Sequence, residues 1–386
     1  MLGEHVNYVW QSLGPTVYEG TAGISDFLAE LFVLSGERLH RNTALAAMQH
    51  ALEHSREPGD RFAAGVFSGT LGIGYAAIHV GLRLGAQELV DNGHIAMKRG
   101  ATVFHPKQEI DVIGGSAGAI PLLIEIGRKF DSLEYLDLAT QHGELLLNRS
   151  TRRLIKGTTG SNANSYERYW SNPSFGRDGL TGYSHGNSGF AIALLELFHL
   201  TSDEKYRVAA RESLEFERRW FDSTRQNWCD LRVAAGTPPV SCSWCHGAPG
   251  IGLARVRMQE LLSDDPSIEA EIQIACSTTL RSLEDHSAVG RNFSLCHGQM
   301  GNAATLMAVK SAEMRAAGEE TVKQMLTFAL NQHANSHLPW ICGTQDGRMT
   351  PGLMLGTAGI GSALLSHFHA NSDGTGMKWL MLRSDQ

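Results

Sequence analysis

The stretch Gly186 to Phe198 reads GNSGFAIALLELF: two glycines three residues apart, then nine residues of which only Glu196 is polar. Glycine suits a turn where backbone must approach backbone, and it is least costly just outside a helix. The run behind it is helix-compatible and too apolar on every side to face water. The same pattern recurs along the chain. Gly20 to Gly23 leads into ISDFLAELF, Gly69 to Gly72 into IGYAAIHVG, and Gly115 to Gly118 into AIPLLIEIG. Gly247 to Gly250 leads into IGLARVRMQELL, Gly298 to Gly301 into NAATLMAVK, and Gly356 to Gly359 into IGSALLSHF. Glycines at this spacing are weak evidence alone, since this composition yields about four or five such pairs by chance. Gly157 and Gly160, for example, have no such sequel. The apolar run behind seven of the pairs carries the signal.

Between these units lie more polar segments with helical spacing, such as EKYRVAARESLEFERRWF (204–221), IEAEIQIACSTTLRSLEDH (268–286) and TVKQMLTFALNQH (321–333). Alternating strand patterns are scarce. Amphipathic helix, loop, glycine turn and apolar helix therefore repeat seven times, which predicts an all-α fold. The apolar helices must be inside and the amphipathic ones outside. The expected architecture is an α/α toroid of seven inner and seven outer helices, one domain over residues 1–386. The runner-up is an open superhelix of helix pairs, but the unit spacing is long and uneven for a solenoid. In a closed ring all seven glycine turns lie at one end, with the helix N-termini converging there and favouring bound anions.

That end carries unusual chemistry. Six cysteines, seventeen histidines and forty-two glycines predict only about 0.03 Cys-His-Gly triplets by chance. Yet the triplet occurs at Cys245–Gly247, in SWCHGAPG, and at Cys296–Gly298, in LCHGQMG. Thiolate plus imidazole is the donor set that zinc prefers, and a catalytic zinc keeps three protein ligands and one open position. The spacing leaves open which of Cys245, His246, Cys296 and His297 stays out. Cys242 adds a knuckle-like Cys242-x-x-Cys245 pair, whereas Cys229, Cys276 and Cys342 lie outside any glycine turn and read as packing residues. His185, in YSHGNSG, stands at the same repeat position as His246 and His297. Asp111, in DVIGGSAG, precedes the third turn and reads equally as a cap or as a catalytic carboxylate.

SHGNSG, WCHGAPG and LCHGQMG, set in the sevenfold pattern, resemble the lanthionine synthetase C-like family. The forms WCHGAPGIGLAR and LCHGQMGN look most like the cyclase domain of class II lanthipeptide synthetases. The resemblance runs from about Gly20 to the last helix. It implies a toroid with one zinc ion per chain at its mouth, held by Cys245, Cys296 and His297. It also implies that His185 and Asp111 match catalytic positions. His246 sits where some relatives carry a tyrosine, and Ser241 where the nisin-type cyclases carry an arginine. The implied activity is addition of a peptide cysteine thiolate to a dehydroalanine or dehydrobutyrine, giving a lanthionine or methyllanthionine thioether ring. His185 is then the expected general acid, His246 the runner-up, and Asp111 the group that orients the acid.

Other classes fit parts of the pattern: a glutathione-adding relative, a prenyltransferase-like zinc toroid, or a peptide-binding scaffold with structural zinc. A net charge of −7 and a pI near 6.2 argue against a nucleic-acid partner. No window approaches about eighteen uninterrupted apolar residues, so no membrane span is expected. The start has no basic-led apolar leader, and the cysteines suit a reducing compartment, which together predict a cytoplasmic protein. No Walker-type run is present to bind a nucleotide. The expected partners are a dehydrated precursor peptide and a dehydratase that is separate or missing from this chain. Residues 151–182, a polar insert in the widest gap between units, read as a lid or mobile segment.

Overall fold

In a computed structural model the chain forms an α/α toroid. The structure describes residues 12–55, 60–102, 105–155, 165–172, 175–176, 178–233, 236–284, 291–335, 338–369 and 375–382. Seven helices each begin directly after the first glycine of a pair: α1 (Thr21–Ser35), α3 (Thr70–Leu84), α5 (Ser116–Lys129), α7 (Asn187–Thr201), α9 (Ala248–Leu261), α11 (Gln299–Ala308) and α13 (Thr357–Phe368). Six amphipathic helices pack outside them: α2 (Arg38–Glu53), α4 (Gln87–Thr102), α6 (Leu133–Arg149), α8 (Glu204–Arg218), α10 (Ser267–Glu284) and α12 (Ala312–His333).

The second glycine of each pair explains the motif. It sits in the first helical turn, where a Cβ would lie 1.6–2.4 Å from the carbonyl oxygen six residues earlier. No side chain larger than hydrogen fits that contact without moving the backbone. The carbonyls lying on these glycines belong to Val17, Val66, Val112, Tyr183, Trp244, Leu295 and Leu353, all buried.

Backbone hydrogen bonds then tie the seven turns into a closed circle. Tyr18 N–H donates to Phe67, Phe67 to Ile113, Val112 to Ser184, and Ser184 to Cys245. Cys245 donates to Cys296, Cys296 to Met354, and Met354 back to Tyr18, all at 2.8–3.3 Å. The accepting carbonyl in every case belongs to the residue two before the first glycine. This circle excludes the open superhelix. It also moderates the expected pull of the helix N-termini, whose first free N–H groups are occupied by their own loops. Thr21 N–H donates to Gly14, Ala117 to Ile110, Asn187 to Leu180, Gln299 to Asn292 and Thr357 to Thr350.

The fold class is as expected, but the position of one helix is not. The partner of α13 is α14 (Thr375–Met381), and it lies inside the ring rather than outside. Trp379 meets Phe67 and Tyr75 ring to ring and donates its indole N–H to Asp26 at 2.7 Å. Trp244 Nε1–H donates to the Leu380 carbonyl at 3.1 Å, and the Tyr183 hydroxyl to that of Met381 at 3.4 Å. With α11 and α13 beside it and Leu122 of α5 facing it, α14 meets all seven repeats. Only a helix on the axis can do that. It forms a floor under the glycine turns.

The insert at 151–182 is also more ordered than its composition suggests. Strands β1 (Ser150–Ile155) and β2 (Ser165–Trp170) pair as an antiparallel hairpin, while residues 156–164 lie outside the described residues. Glu212 and Glu167 pin it, the first pairing with Arg152 and Arg168, the second with Arg153 and Arg219. Trp170 stacks on Phe190 with ring centroids 4.3 Å apart and donates to the Leu146 carbonyl. A second, minimal pair of strands, β3 (Phe221–Asp222) and β4 (Asn227–Trp228), follows α8.

Candidate metal centre

The circle of turns places the motif residues next to one another. Cys245 and Cys296 occupy the same position in neighbouring turns, and the N–H of the first donates to the carbonyl of the second at 3.1 Å. Their sulfurs therefore face a common point, and His297 follows Cys296 directly. Ligand atoms of Cys245, Cys296 and His297 all lie within 4.8 Å of one another. A tetrahedral zinc with bonds of about 2.0–2.3 Å wants its donors about 3.5–3.8 Å apart, so closure requires only small side-chain shifts.

Proton energetics favour a cation there. The neighbouring Cys296 sulfur, against the opposing effect of burial, holds the Cys245 pKa below the ordinary thiol value. The Ser243 hydroxyl 3.3 Å away, His297 and Arg232 act in the same direction. Cys296 is pushed up by the bond to Cys245 and by burial. Two buried sulfurs that favour at least one thiolate are a ready ligand pair for zinc. His297 is oriented to join them. Its Nε2–H donates to the Gly343 carbonyl at 2.9 Å, leaving Nδ1 with a free lone pair. Three protein donors leave a fourth position open. The residues fit the metal.

Cys242 stays outside this group. Its thiol faces Ser282 and Arg281, and burial raises its pKa. The knuckle-like reading of Cys242 and Cys245 is therefore not what the structure forms. Cys229, Cys276 and Cys342 are buried free thiols, in keeping with packing roles.

His185 and Asp111 form a second group beside the first. His185 Nδ1 lies 2.6 Å from Asp111 Oδ2, while Asp111 Oδ1 accepts from the Gly114 N–H at 2.7 Å. Asp111 is thus both the cap of its turn and the partner of the histidine. Burial pulls the His185 pKa down, but the Asp111 carboxylate outweighs it and the net shift is upward. The ring stacks on His246 with centroids 5.7 Å apart and meets the edge of Phe175 at 5.3 Å. His185 and Asp111 line a cavity of about 560 Å³ together with Glu109, Trp170, Asn172 and Phe190. Glu109 is raised by burial and by the Asp111 charge. His246 is 2% exposed and lies outside that lining. Burial, then Arg232 and His185, depress its pKa to about 3.

Two supporting residues escaped the sequence reading. Glu217 of α8 is fully buried and accepts from Gly182 N–H at 2.8 Å and Ser188 Oγ–H at 2.5 Å, gripping both ends of the turn that carries His185. Arg255 of α9, equally buried, pairs with Glu217 at 2.7 Å and with Glu271. In sequence, Glu217 looks like a member of an ordinary amphipathic stretch. The local hint is the pair of arginines, Arg255 and Arg257, in an inner-helix run.

Comparison with known proteins agrees with this geometry. The chain matches the family described as lanthionine synthetase C-like protein over residues 11–380. It is 27% identical over 262 residues to the lacticin 481/lactococcin biosynthesis protein LcnDR2 of Lactococcus lactis subsp. lactis. That alignment covers 65% of this chain and 24% of the relative, so the chain spans about a quarter of that protein's length. Among solved structures, nisin cyclase superimposes with a TM-score of 0.68 at 17% identity, covering 96% of this chain and 93% of that one. The chain belongs to the lanthionine synthetase C-like family.

Proposed function

We propose, from that membership and from the site, that the chain is a zinc-dependent lanthipeptide cyclase. The observation that carries the reading is the adjacency of two groups at one mouth. A Cys245–Cys296–His297 cluster able to hold zinc stands beside a His185–Asp111 pair lining a peptide-sized cavity.

Zinc held by the three residues would supply a Lewis acid that keeps a substrate cysteine in its thiolate form at neutral pH. The chain's own residues supply the rest. The thiolate sulfur forms a bond to the β-carbon of a dehydroalanine or dehydrobutyrine in the same peptide. The π electrons of that double bond move to the amide oxygen as an enolate. His185, protonated and held by Asp111, then delivers a proton to the α-carbon, and the amide is restored. Its place on the cavity wall favours it over His246, which is enclosed. Trp170, Phe190 and Asn172 form the wall against which the dehydrated residue packs. No described helix is long and apolar enough to cross a membrane, and the proposed partner is a dehydrated precursor peptide.

Mass spectrometry with thiol alkylation tests the reading. Incubated with a dehydrated precursor, the chain should leave the mass unchanged while removing free thiols. Incubated with the unmodified precursor, ATP and Mg²⁺, it should change neither, because the proposed dehydratase is a separate protein or domain. Loss of water from the unmodified precursor overturns the cyclase-only reading. Persistence of every free thiol in the dehydrated one overturns the cyclase itself.

A further inference from the structure

The cavity beside His185 has two kinds of wall. Trp170, Phe190 and Asn172 offer packing surface and an amide, whereas the loop before α5, with Arg61 and Arg149, brings most of the charge. What each charged group already holds separates one of them from the rest. Asp111 is bonded to His185 at 2.6 Å, and Glu109 faces Arg61 at 3.4 Å. Arg149 gives its protons to the carbonyls of His105, Pro106 and Gln108. Lys107 is left. It lines the cavity, it is exposed, and its ammonium has no partner among the described residues.

The backbone under that lysine is fixed. Arg149, at the end of α6, grips carbonyls on both sides of Lys107. Lys107 N–H donates to His105 Nδ1 at 3.0 Å, Gln108 N–H to the His105 carbonyl at 2.9 Å, and Glu109 N–H to the Arg61 carbonyl at 3.0 Å. An exposed lysine is ordinarily just a solvated one, but a second feature of the same loop sets this one apart. Gln108 also lines the cavity and is only 3% exposed. Its amide nitrogen donates to Ser116 Oγ at 3.2 Å, yet its amide oxygen has no partner among the described residues. A buried acceptor left unpaired costs free energy until a donor reaches it.

Together the two side chains describe the partner they lack: an N–H donor with a negative charge close by. An acidic residue in a peptide has both. A doubly charged phosphate would want a second cation, and both arginines of the wall are already engaged. The acids of the wall do not repel such a ligand unopposed, since His185 and Arg61 face them. Lys107 and Asp111 are four residues apart in sequence, at most about 14 Å of backbone. A carboxylate at Lys107 and a dehydrated residue at His185 therefore belong to one short segment of substrate.

We propose that Lys107 determines specificity at this site. Its ammonium takes a carboxylate of the precursor peptide that lies within about four residues of the dehydrated position. The ligand's identity rests on the cyclase reading, but the binding test needs no ring closure.

The probes are synthetic nonapeptides, acetylated and amidated at their ends, with dehydroalanine at the centre and Gly or Ser elsewhere. One Glu is placed at each other position in turn, and each peptide is paired with its Gln counterpart. Calorimetry on the zinc-loaded chain should find a position where Glu binds roughly fivefold more tightly than Gln, the scale of one exposed ion pair. Added salt should erode that preference. Lys107→Gln should abolish it, and Lys107→Glu should replace it with a preference for Lys at the same position. A peptide ending there in a free carboxylate distinguishes the two sources of the charge. Tighter binding of that peptide but of no internal Glu assigns the subsite to a peptide C-terminus, and the reverse assigns it to an acidic side chain. Glu and Gln within about twofold of each other at every position, or a preference that Lys107→Gln leaves intact, overturns the proposal. If the preference is present but Cys-bearing counterparts close no ring, the cyclase reading falls and the carboxylate subsite stands.

Discussion

Turns four to six of the ring and turns seven, one and two share one backbone and differ in the side chains set before the first glycine. Two residues before the first glycine, the first half presents Ser184, Cys245 and Cys296, and the second half Met354, Tyr18 and Phe67. One residue before it stand His185, His246 and His297 on one side, and Leu355, Glu19 and Ser68 on the other. The same circle of hydrogen bonds runs through both halves. The circle therefore belongs to the fold, and the chemistry is a set of side-chain replacements on a repeated frame. Tyr18 marks the border between them: it holds a place in the inert half, yet its hydroxyl acts on Cys296, opposing the upward push of burial on that thiol.

The most direct challenge to this contrast is to change the same position in each half. Cys296→Ala should abolish zinc binding and ring closure, since a three-residue site loses one of its two thiolates. Met354→Ala should cost about 2–5 kcal/mol of stability, as buried truncations do, because Met354 is fully enclosed. It should keep its zinc. Metal analysis and thermal unfolding of both variants check this, and zinc loss from Met354→Ala with the fold intact would dissolve the distinction between the halves.

The repeat, the closed ring and the metal cluster were legible because each depends on residues that must recur at fixed spacing. A turn that puts a carbonyl on a helix has no substitute for glycine, so Gly23 and its six counterparts appear at face value. Cys245 and Cys296 are legible because a shared motif places them at equivalent positions of adjacent units. What stayed hidden depends on contacts between segments far apart in sequence. The stretch that forms α14 looks like any short apolar helix; only the space left inside the ring, and the Asp26 carboxylate waiting for Trp379, put it on the axis. The hairpin at β1 and β2 is specified less by alternation than by Glu212 of α8 and by its own Glu167, which pairs with Arg153 and with Arg219 after α8. Asp111 could be read as a cap or as a catalytic partner because it is bonded as both.

A smaller effect is expected from the histidine position. His185→Ala should retain zinc and fold but slow ring closure by roughly 10²–10⁴-fold, the usual worth of a general acid. Ser68→Ala, at the same repeat position in the inert half, should leave the rate within about twofold. Single-turnover thiol consumption distinguishes them. An unchanged rate in His185→Ala would remove this histidine from the chemistry and return its bond with Asp111 to a structural role.

The smallest effect is one of pH. His185 donates a proton, so activity should fall as pH rises through its pKa. Burial lowers that pKa and Asp111 raises it by more, so the alkaline limb should lie above the ordinary histidine value. Glu109 faces the pair from the same loop, Arg232 and Cys245 act on it from the neighbouring turns, and His246 stacks on it. Of these, Asp111 alone is bonded to the ring. Asp111→Asn keeps an oxygen for the Gly114 N–H but removes the charge, so the turn should hold while the limb moves to lower pH. At acidic pH the variant should approach the wild-type rate, and the gap should widen as pH increases. Stability should follow the same sign. A histidine whose folded pKa is raised contributes stability that is complete below its unfolded pKa and is lost as pH climbs through the folded value. Asp111→Asn should flatten that dependence. Profiles of rate and of melting temperature against pH, taken on both proteins, check the two together. A limb that stays in place while the rate drops equally at every pH would mean that Asp111 only aims the ring and does not set its charge.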